Sequence, residues 1–185
     1  SQQKTINDKV DSSIQSLIND HVSHIEIITT GYMARCQGPM GTGENPASSN
    51  FIIHTGNLDQ TNTINSLTLN AKAQTSLGGK TLSENRLAKI PDDQAIHYFV
   101  DRARALYGAQ NKQLFVALKP HVDCMDDTER AKIIVGSMSE WWTSYQSFIN
   151  HYADLAKSNH MDMLVAGTEL TSTSLSQLKS VLAAV

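Results

Sequence analysis

The segment Leu114-Phe115-Val116-Ala117-Leu118 places five apolar residues in a row and decides the fold class of this chain. A strand with one solvated face alternates apolar and polar residues, whereas a strand buried on both faces is apolar throughout, as in parallel sheets. The polar segment Lys119-Pro120-His121-Val122-Asp123 follows at once. We therefore predict a parallel strand over Leu114–Leu118 with a polar exit that begins at Lys119.

Two further strands are predicted, one before and one after this segment. His24–Thr30 is short and rich in β-branched residues, which is typical of a strand. Met161–Gly167 is apolar and ends at the polar pair Thr168-Glu169. The chain is therefore expected to contain three core strands.

Helices are predicted around these strands, because apolar residues recur there every three or four positions. Ser137 and Glu140 have the spacing of a capping box, which marks a helix N-terminus. The helices are expected at Asn7–His21, from Ile90 to Gly108, from Ser137 through Leu155, and from Ser172 or Ser174 to the end of the chain.

The strict alternation of helices and strands predicts an α/β fold with parallel strands joined by right-handed crossovers. The 185 residues suffice for one domain, which we assign to 1–185. A long stretch over 34–80, rich in Gly, Pro, Ser, Thr and Asn, is expected to be an insertion. Asn50–His54 and Thr63–Leu69 within it form a hairpin in one interpretation.

The composition argues against several classes of protein. Lys and Arg number 15 against 18 Asp and Glu, a net charge of −3, which disfavours charge-driven binding to nucleic acid or anionic membranes. Apolar runs of about five residues are far below the roughly 20 that a membrane span needs. The start, Ser-Gln-Gln-Lys-Thr, lacks the apolar stretch of a signal peptide, and a mature chain from which a signal was removed looks the same. The expected compartment is thus secreted or periplasmic if a signal was removed, and cytoplasmic otherwise.

Other familiar motifs are missing or incomplete in the sequence. The two cysteines, Cys36 and Cys124, are too far apart for a CxxC site, and we expect free buried thiols, with one disulfide as the alternative. The segment Gly79-Lys80-Thr81 lacks the first glycine of a P-loop, and no GxSxG nucleophile elbow occurs. Trp141 and Trp142 stand at helical spacing with other aromatics, so we interpret the pair as structural rather than as a sugar platform.

In parallel α/β folds, reactive groups sit at the carboxyl ends of the strands, both in open sheets and in barrels. That rule selects Thr29–Tyr32, Lys119–Asp123 and Thr168-Glu169. Glu169 would stand on a rigid strand end, where partial burial raises a carboxyl pKa toward the range that suits a proton donor. In the alternative interpretation, Glu169 caps the next helix or pairs with Lys119.

Lys119, His121 and Asp123 are spaced two apart, which places their side chains on one side of an extended chain. These groups can hydrogen-bond a polyhydroxylated ligand. In a second interpretation, His121, Asp123 and Glu169 hold a divalent cation, since imidazole and carboxylates are usual ligands. In a third, the groups are merely solvated at the sheet rim.

Three segments stand in order along the chain: Phe115–Asp123, which contains Leu-Lys-Pro-His-Val-Asp, the aromatic helix Trp141–Ala156, and Leu164–Leu170, which contains Gly-Thr-Glu-Leu. Together they resemble glycoside hydrolase family 113, β-mannanase-like enzymes on a (β/α)8 barrel. The agreement covers roughly Ile90–Leu170, with a weaker match over the first helix and strand. The stretch 34–80 matches no part of the family pattern.

The resemblance implies retaining hydrolysis of a β-linked glycan without a metal or other cofactor. Glu169 matches the acid/base residue at the end of strand four, with Lys119, His121, Asp123 and Thr168 expected to bind substrate. The family's second carboxylate lies at strand seven, and a complete barrel needs roughly 250 residues. We therefore expect the N-terminal half of a barrel.

Three functions follow from this interpretation. The chain carries the acid/base half of a mannanase-like site and is inactive alone, or it is a non-catalytic module that binds a glycan or a protein, or it is a metal-dependent hydrolase. Because a half-barrel exposes sheet edges and an apolar face, we also expect self-association or pairing with the missing half.

Overall fold

The computed structural model describes residues 2–33, 53, 93–124, 129–133, 139–167, 169–170 and 175–185. Its elements are α1 (Gln2–Asn19), β1 (His24–Met33), α2 (Asp93–Gly108), β2 (Phe115–Cys124), a short 3-10 helix (Arg130–Lys132), α3 (Ser139–Ser158), β3 (Met163–Leu164) and α4 (Leu175–Ala183). The predicted alternation is confirmed. The insertion with its hairpin, and the capping residues Ser137, Ser172 and Ser174, lie outside the described residues.

The described strands form one parallel sheet in the order β1-β2-β3. The β1–β2 register runs from His24 opposite Phe115 to Met33 opposite Cys124. On the other side of β2, Leu118 lies opposite Leu164. The α/β class with parallel strands is therefore confirmed, and the central strand is the one that the apolar segment predicts.

The central strand β2 is longer than predicted, because the expected polar exit Lys119–Asp123 belongs to it. Pro120 is tolerated inside the strand for a local reason. Even-numbered residues of β2 direct their backbone groups toward β3, as shown by the oxygen of Leu118, which accepts from Val165 N at 2.8 Å. Since β3 ends at Leu164, the missing N–H of Pro120 leaves no ladder bond unmade.

The strand predicted over Met161–Gly167 is confirmed only as the two residues Met163–Leu164. Backbone pairing extends one residue further on each side, because Asp162 N donates to Val116 O and Val165 N donates to Leu118 O, both at 2.8 Å. After Val165, Gly167 and Glu169 have φ angles of +84° and +60°, which are incompatible with an extended chain. The backbone therefore turns before it reaches Glu169.

The sheet has one face packed by helices and one face that the described helices leave open. The main core joins the odd-numbered residues of β1 and the even-numbered residues of β2 to α2 and α3. The open face carries the side chains that alternate with these, among them His24, Glu26, Ile28, Lys119, His121, Asp123 and Met163. On it, Ile28 is 50 % exposed and Met163 is 45 % exposed.

The aromatic stripe of α3 fills the core on the covered face. Trp141 is fully buried, donates from Nε1 to Met33 Sδ at 2.9 Å, and stacks on Tyr145 with ring centroids 4.8 Å apart. A Cβ on Gly31 would lie 2.6 Å from the ring of Phe148, so β1 needs glycine there. Trp141 is thus structural, as predicted, whereas Trp142 is only partly buried.

Cys124 corrects a prediction, because it is disulfide-bonded and is not the free buried thiol that the sequence predicts. Cys124 ends β2 opposite Met33, the last residue of β1. The only other cysteine of the sequence, Cys36, follows Met33 by three positions and lies outside the described residues. The parallel register, which spacing along the sequence does not reveal, brings these two strand ends side by side.

Two buried tyrosines of α3 allow a matched test of core polarity. Tyr152 shares a hydrogen bond with the hydroxyl of Thr29 at 2.9 Å, whereas the Tyr145 hydroxyl has no partner among the described residues. Burial raises the pKa of each to about 12. We expect Tyr152→Phe to cost about 1–2 kcal/mol, because Thr29 is left unpaired, and Tyr145→Phe to be neutral or stabilising.

Urea denaturation of both variants measures this difference. Equal losses of stability would contradict it, since both substitutions remove one hydroxyl and leave the ring in place.

Candidate functional site

Polar side chains collect at the C-terminal end of the sheet, on the open face. Lys119, His121 and Asp123 project to the same side of β2, as their spacing predicts. Glu169 follows β3, and its side chain is 58 % exposed. Two of the three strand ends that the sequence selects, those of β2 and β3, therefore meet at one rim, because the strands are parallel and adjacent.

Arg130, in the 3-10 helix after β2, connects the two carboxylates at this rim. Its Nε donates to Asp123 Oδ1 at 3.2 Å, and its Nη1 donates to Glu169 Oε2 at 3.2 Å. The sequence analysis missed Arg130, because it lies in a polar stretch without periodicity. The structure thus brings Glu169 and Asp123 together through one guanidinium.

His121 lies beneath these charges and is only 7 % exposed. Its Nε2 is buried and has no hydrogen-bond partner in the part of the chain that the structure describes. Burial lowers the pKa of His121, the cations Arg130 and Lys119 lower it further, and the carboxylates Glu169 and Asp123 oppose them. The imidazole is therefore neutral near pH 7 and keeps one ring nitrogen for a ligand.

Lys119 precedes His121 and Asp123 along β2 and therefore lies farther from the rim on the open face. Its Nζ lies 3.0 Å from Glu26 Oε1 on β1, and both side chains are partly exposed. In the alternative interpretation Glu169 pairs with Lys119. In the structure Glu169 pairs with Arg130 instead. Glu26 is a second residue that the sequence analysis missed, although alternation along β1 places it on the same face.

The metal-site alternative does not fit the described residues. Within the described ranges, no group of three His, Cys, Asp or Glu side chains has the arrangement to hold a metal ion. Asp123 and Glu169 instead share Arg130, a fixed positive charge that occupies the position between them. Thr168, the remaining predicted binding residue, lies outside the described residues.

The depressed pKa of His121 predicts how stability depends on pH. The unfolded chain takes up a proton at the ordinary value of 6.5, whereas the folded chain resists protonation until a lower pH. Stability is therefore lost as the pH falls below about 6.5. We expect the urea midpoint to drop between about pH 7.5 and about pH 5.5, and to drop less in His121→Gln.

His24→Gln serves as the matched control, because His24 is an exposed histidine on the same face of the sheet. If the two variants changed the pH dependence equally, the burial of His121 would not be its cause.

Comparisons with known proteins identify the family and the fold of this chain. The family model of Glycoside Hydrolase Family 113 matches residues 55–182, whereas a sequence search of curated proteins returns no match. A solved structure of a GH113 β-1,4-mannanase, determined as a complex, aligns with a TM-score of 0.60 at 17 % identity.

That alignment covers 94 % of this chain and 45 % of the mannanase chain, so the chain spans less than half the length of the enzyme. The likeness confirms the fold, a partial (β/α)8 barrel. No described helix is long and apolar enough to cross a bilayer. The family match extends over more than half of the chain, and the chain belongs to glycoside hydrolase family 113.

Proposed function

We propose that the chain carries the acid/base side of the active site of a retaining glycosidase that cleaves a β-1,4-linked, mannan-type polysaccharide. The observation that carries the proposal is the link from Glu169 through Arg130 to Asp123, above the unpartnered nitrogen of His121. Family membership supports the reaction class. The likeness to a solved β-1,4-mannanase supports the substrate.

In this proposal, Glu169 donates a proton to the leaving-group oxygen and later removes one from water. Its exposed carboxyl can reach a bound chain, and the Arg130 contact weakens when the carboxyl takes up a proton. Arg130 keeps its second partner, Asp123, throughout. Neutral His121 accepts or donates a hydrogen bond to a sugar hydroxyl, and Asp123 and Lys119 complete the polar surface. We propose Thr168 as a further substrate-binding residue.

A retaining glycosidase also needs a carboxylate nucleophile about 5–5.5 Å from the acid/base residue. Asp123, the carboxylate that the structure brings to Glu169 through Arg130, is assigned to substrate binding. We therefore propose that the nucleophile comes from the rest of the barrel, and that this chain alone does not turn over substrate. The 45 % coverage of the mannanase chain supports this.

We also propose that the remaining strands of the barrel cover the open face, and that the chain alone self-associates through it. Half-exposed Ile28 and Met163 support this proposal, because apolar side chains on one sheet face favour contact with another apolar surface. Sedimentation of the chain alone tests it. A monomer at all concentrations would contradict self-association.

The proposed function is tested with mannohexaose and two proteins: the chain alone, and the chain completed by the second half of a family 113 barrel. We expect hydrolysis only by the completed protein, with retained anomeric configuration in the first product seen by NMR. Inverted product would contradict the retaining mechanism. Binding without hydrolysis by the completed protein would favour a non-catalytic glycan-binding module.

The disulfide at Cys124 supports a secreted or periplasmic location, because structural disulfides persist in oxidising compartments.

A further inference from the structure

A groove on the helical side of the molecule lies between α3 and α4, apart from the strand ends. It is shallow and open to solvent, with a volume of about 400 Å3, within the range of about 300–1,000 Å3 that small-molecule sites occupy. Its polar lining is formed by Thr143, Gln146, Ser147, Gln177 and Ser180. Trp142 and Val181 supply the apolar part.

The lining of this groove suits a neutral ligand that has both hydroxyl groups and an apolar face, because it combines polar side chains with Trp142 and Val181. It contains amides, hydroxyls and one indole, and no ionisable side chain among the described residues, so a charged ligand would find no counter-charge there. The Ser147 and Ser180 hydroxyls donate to Thr143 O and Ser176 O at 3.1 Å each. Their oxygens therefore keep lone pairs that accept hydrogen bonds from ligand hydroxyls.

Trp142 offers a platform whose orientation is fixed by its neighbours. Its ring stands edge-on to Trp141 at 4.7 Å and to Tyr145 at 6.1 Å, with interplanar angles of 89° and 88°. Trp141 and Tyr145 are themselves buried and stacked. An indole held in this way is preorganised to pack against the C–H face of a sugar ring, which lowers the entropic cost of binding.

Gln146 links the two helices at the groove. Its Nε2 donates to Asn150 Oδ1 at 2.7 Å on α3 and to Val181 O at 3.3 Å on α4. These bonds position the amide, whose Oε1 can accept from a ligand hydroxyl. The Gln146 amide and the Ser147 and Ser180 hydroxyls are thus held by the fold before any ligand arrives.

The groove is also separate from the apolar surface that α4 leaves exposed. Leu175 and Leu182 are 67 % and 50 % exposed. At about 100° per residue they fall on one flank of the buried Val181, whereas Gln177 and Ser180 fall on the other. A further barrel unit that packs on the leucines would therefore leave the groove open.

We propose that this groove is a second binding site, for a neutral oligosaccharide, distinct from the strand-end site. The proposal does not depend on catalysis at Glu169, since it rests on side chains of α3 and α4 alone.

The test follows the two tryptophan indole N–H signals by NMR while mannohexaose is added to the full chain. The Trp141 indole donates to Met33 Sδ inside the core, so we expect the Trp142 signal to shift more. Ser147→Arg should fill the groove and weaken the binding reported by Trp142 at least tenfold. Ser158→Arg is the matched control, because this serine is also exposed and bonded to its own helix, at the far end of α3.

Glu169→Gln is expected to leave the Trp142 signal change unchanged. A loss of the proposed function at the strand ends can therefore be distinguished from a loss of binding in the groove. Gln177→Ala provides a second, milder variant, with binding weakened about threefold or more. An unmoved Trp142 signal, an equal loss in Ser147→Arg and Ser158→Arg, or an equal response to trigalacturonate would overturn the proposal.

Discussion

Replacing Glu169 by Gln is expected to slow mannohexaose hydrolysis by the completed barrel by about 10²–10⁴-fold, the usual contribution of a general acid/base. The amide keeps the size of the side chain and its access to Arg130, but it cannot deliver a proton. The loss should be smaller for an aryl glycoside with a good leaving group, because that bond breaks without protonation. Steady-state kinetics with both substrates measure the difference.

Glu140→Gln is the matched control, because Glu140 is an exposed carboxylate in the first turn of α3, outside the rim. Added azide should restore turnover of the aryl glycoside in Glu169→Gln, since a small anion can replace the base-activated water. If Glu169→Gln kept wild-type rates on mannohexaose, the proposed acid/base role would be wrong.

Replacing Trp141 by Ala is expected to destabilise the chain by about 3–5 kcal/mol, the range for large aromatic residues removed from a core. The side chain is fully buried, so its loss leaves a cavity between α3 and β1. It also removes the stacking partner of Tyr145 and the N–H donor to Met33. Urea denaturation, with the disulfide intact, measures the free energy of unfolding.

Trp142→Ala is the matched control, because it removes the same side chain from the neighbouring position, where the ring is only partly buried. It should cost less than half as much. Trp141→Phe, with an expected cost of about 1–2 kcal/mol, provides a milder variant if the alanine protein does not fold. Equal effects at the two tryptophans would contradict the assignment of Trp141 to the core.

The sequence predicts the architecture well where local pattern and tertiary structure agree. The apolar segment Leu114–Leu118 identifies the central strand, and the aromatic stripe of α3 identifies the main core helix. It predicts strand ends poorly, because they depend on neighbours. Pro120 is tolerated in β2 because β3 has ended beside it. Positive φ angles at Gly167 and Glu169 turn the backbone at the predicted strand end.

The site is predictable to the extent that parallel strands align their carboxyl ends. Lys119, His121 and Asp123 lie on one side of β2 as their spacing indicates. Arg130 and Glu26 could not be inferred from spacing, since each acts through a partner that is distant along the chain or on another element. The roles of Glu169 and its neighbours in catalysis stay predictions, as does the extent of the domain over 1–185.

Pro120 also affects whether the C-terminal end of β2 can pair with a strand of another chain. Pro120 has no amide hydrogen to donate on the β3 side of β2. A strand of another chain that paired with β2 beyond Leu164 would therefore keep one carbonyl oxygen without a donor. Pro120 therefore disfavours the addition of a further strand beside this part of β2.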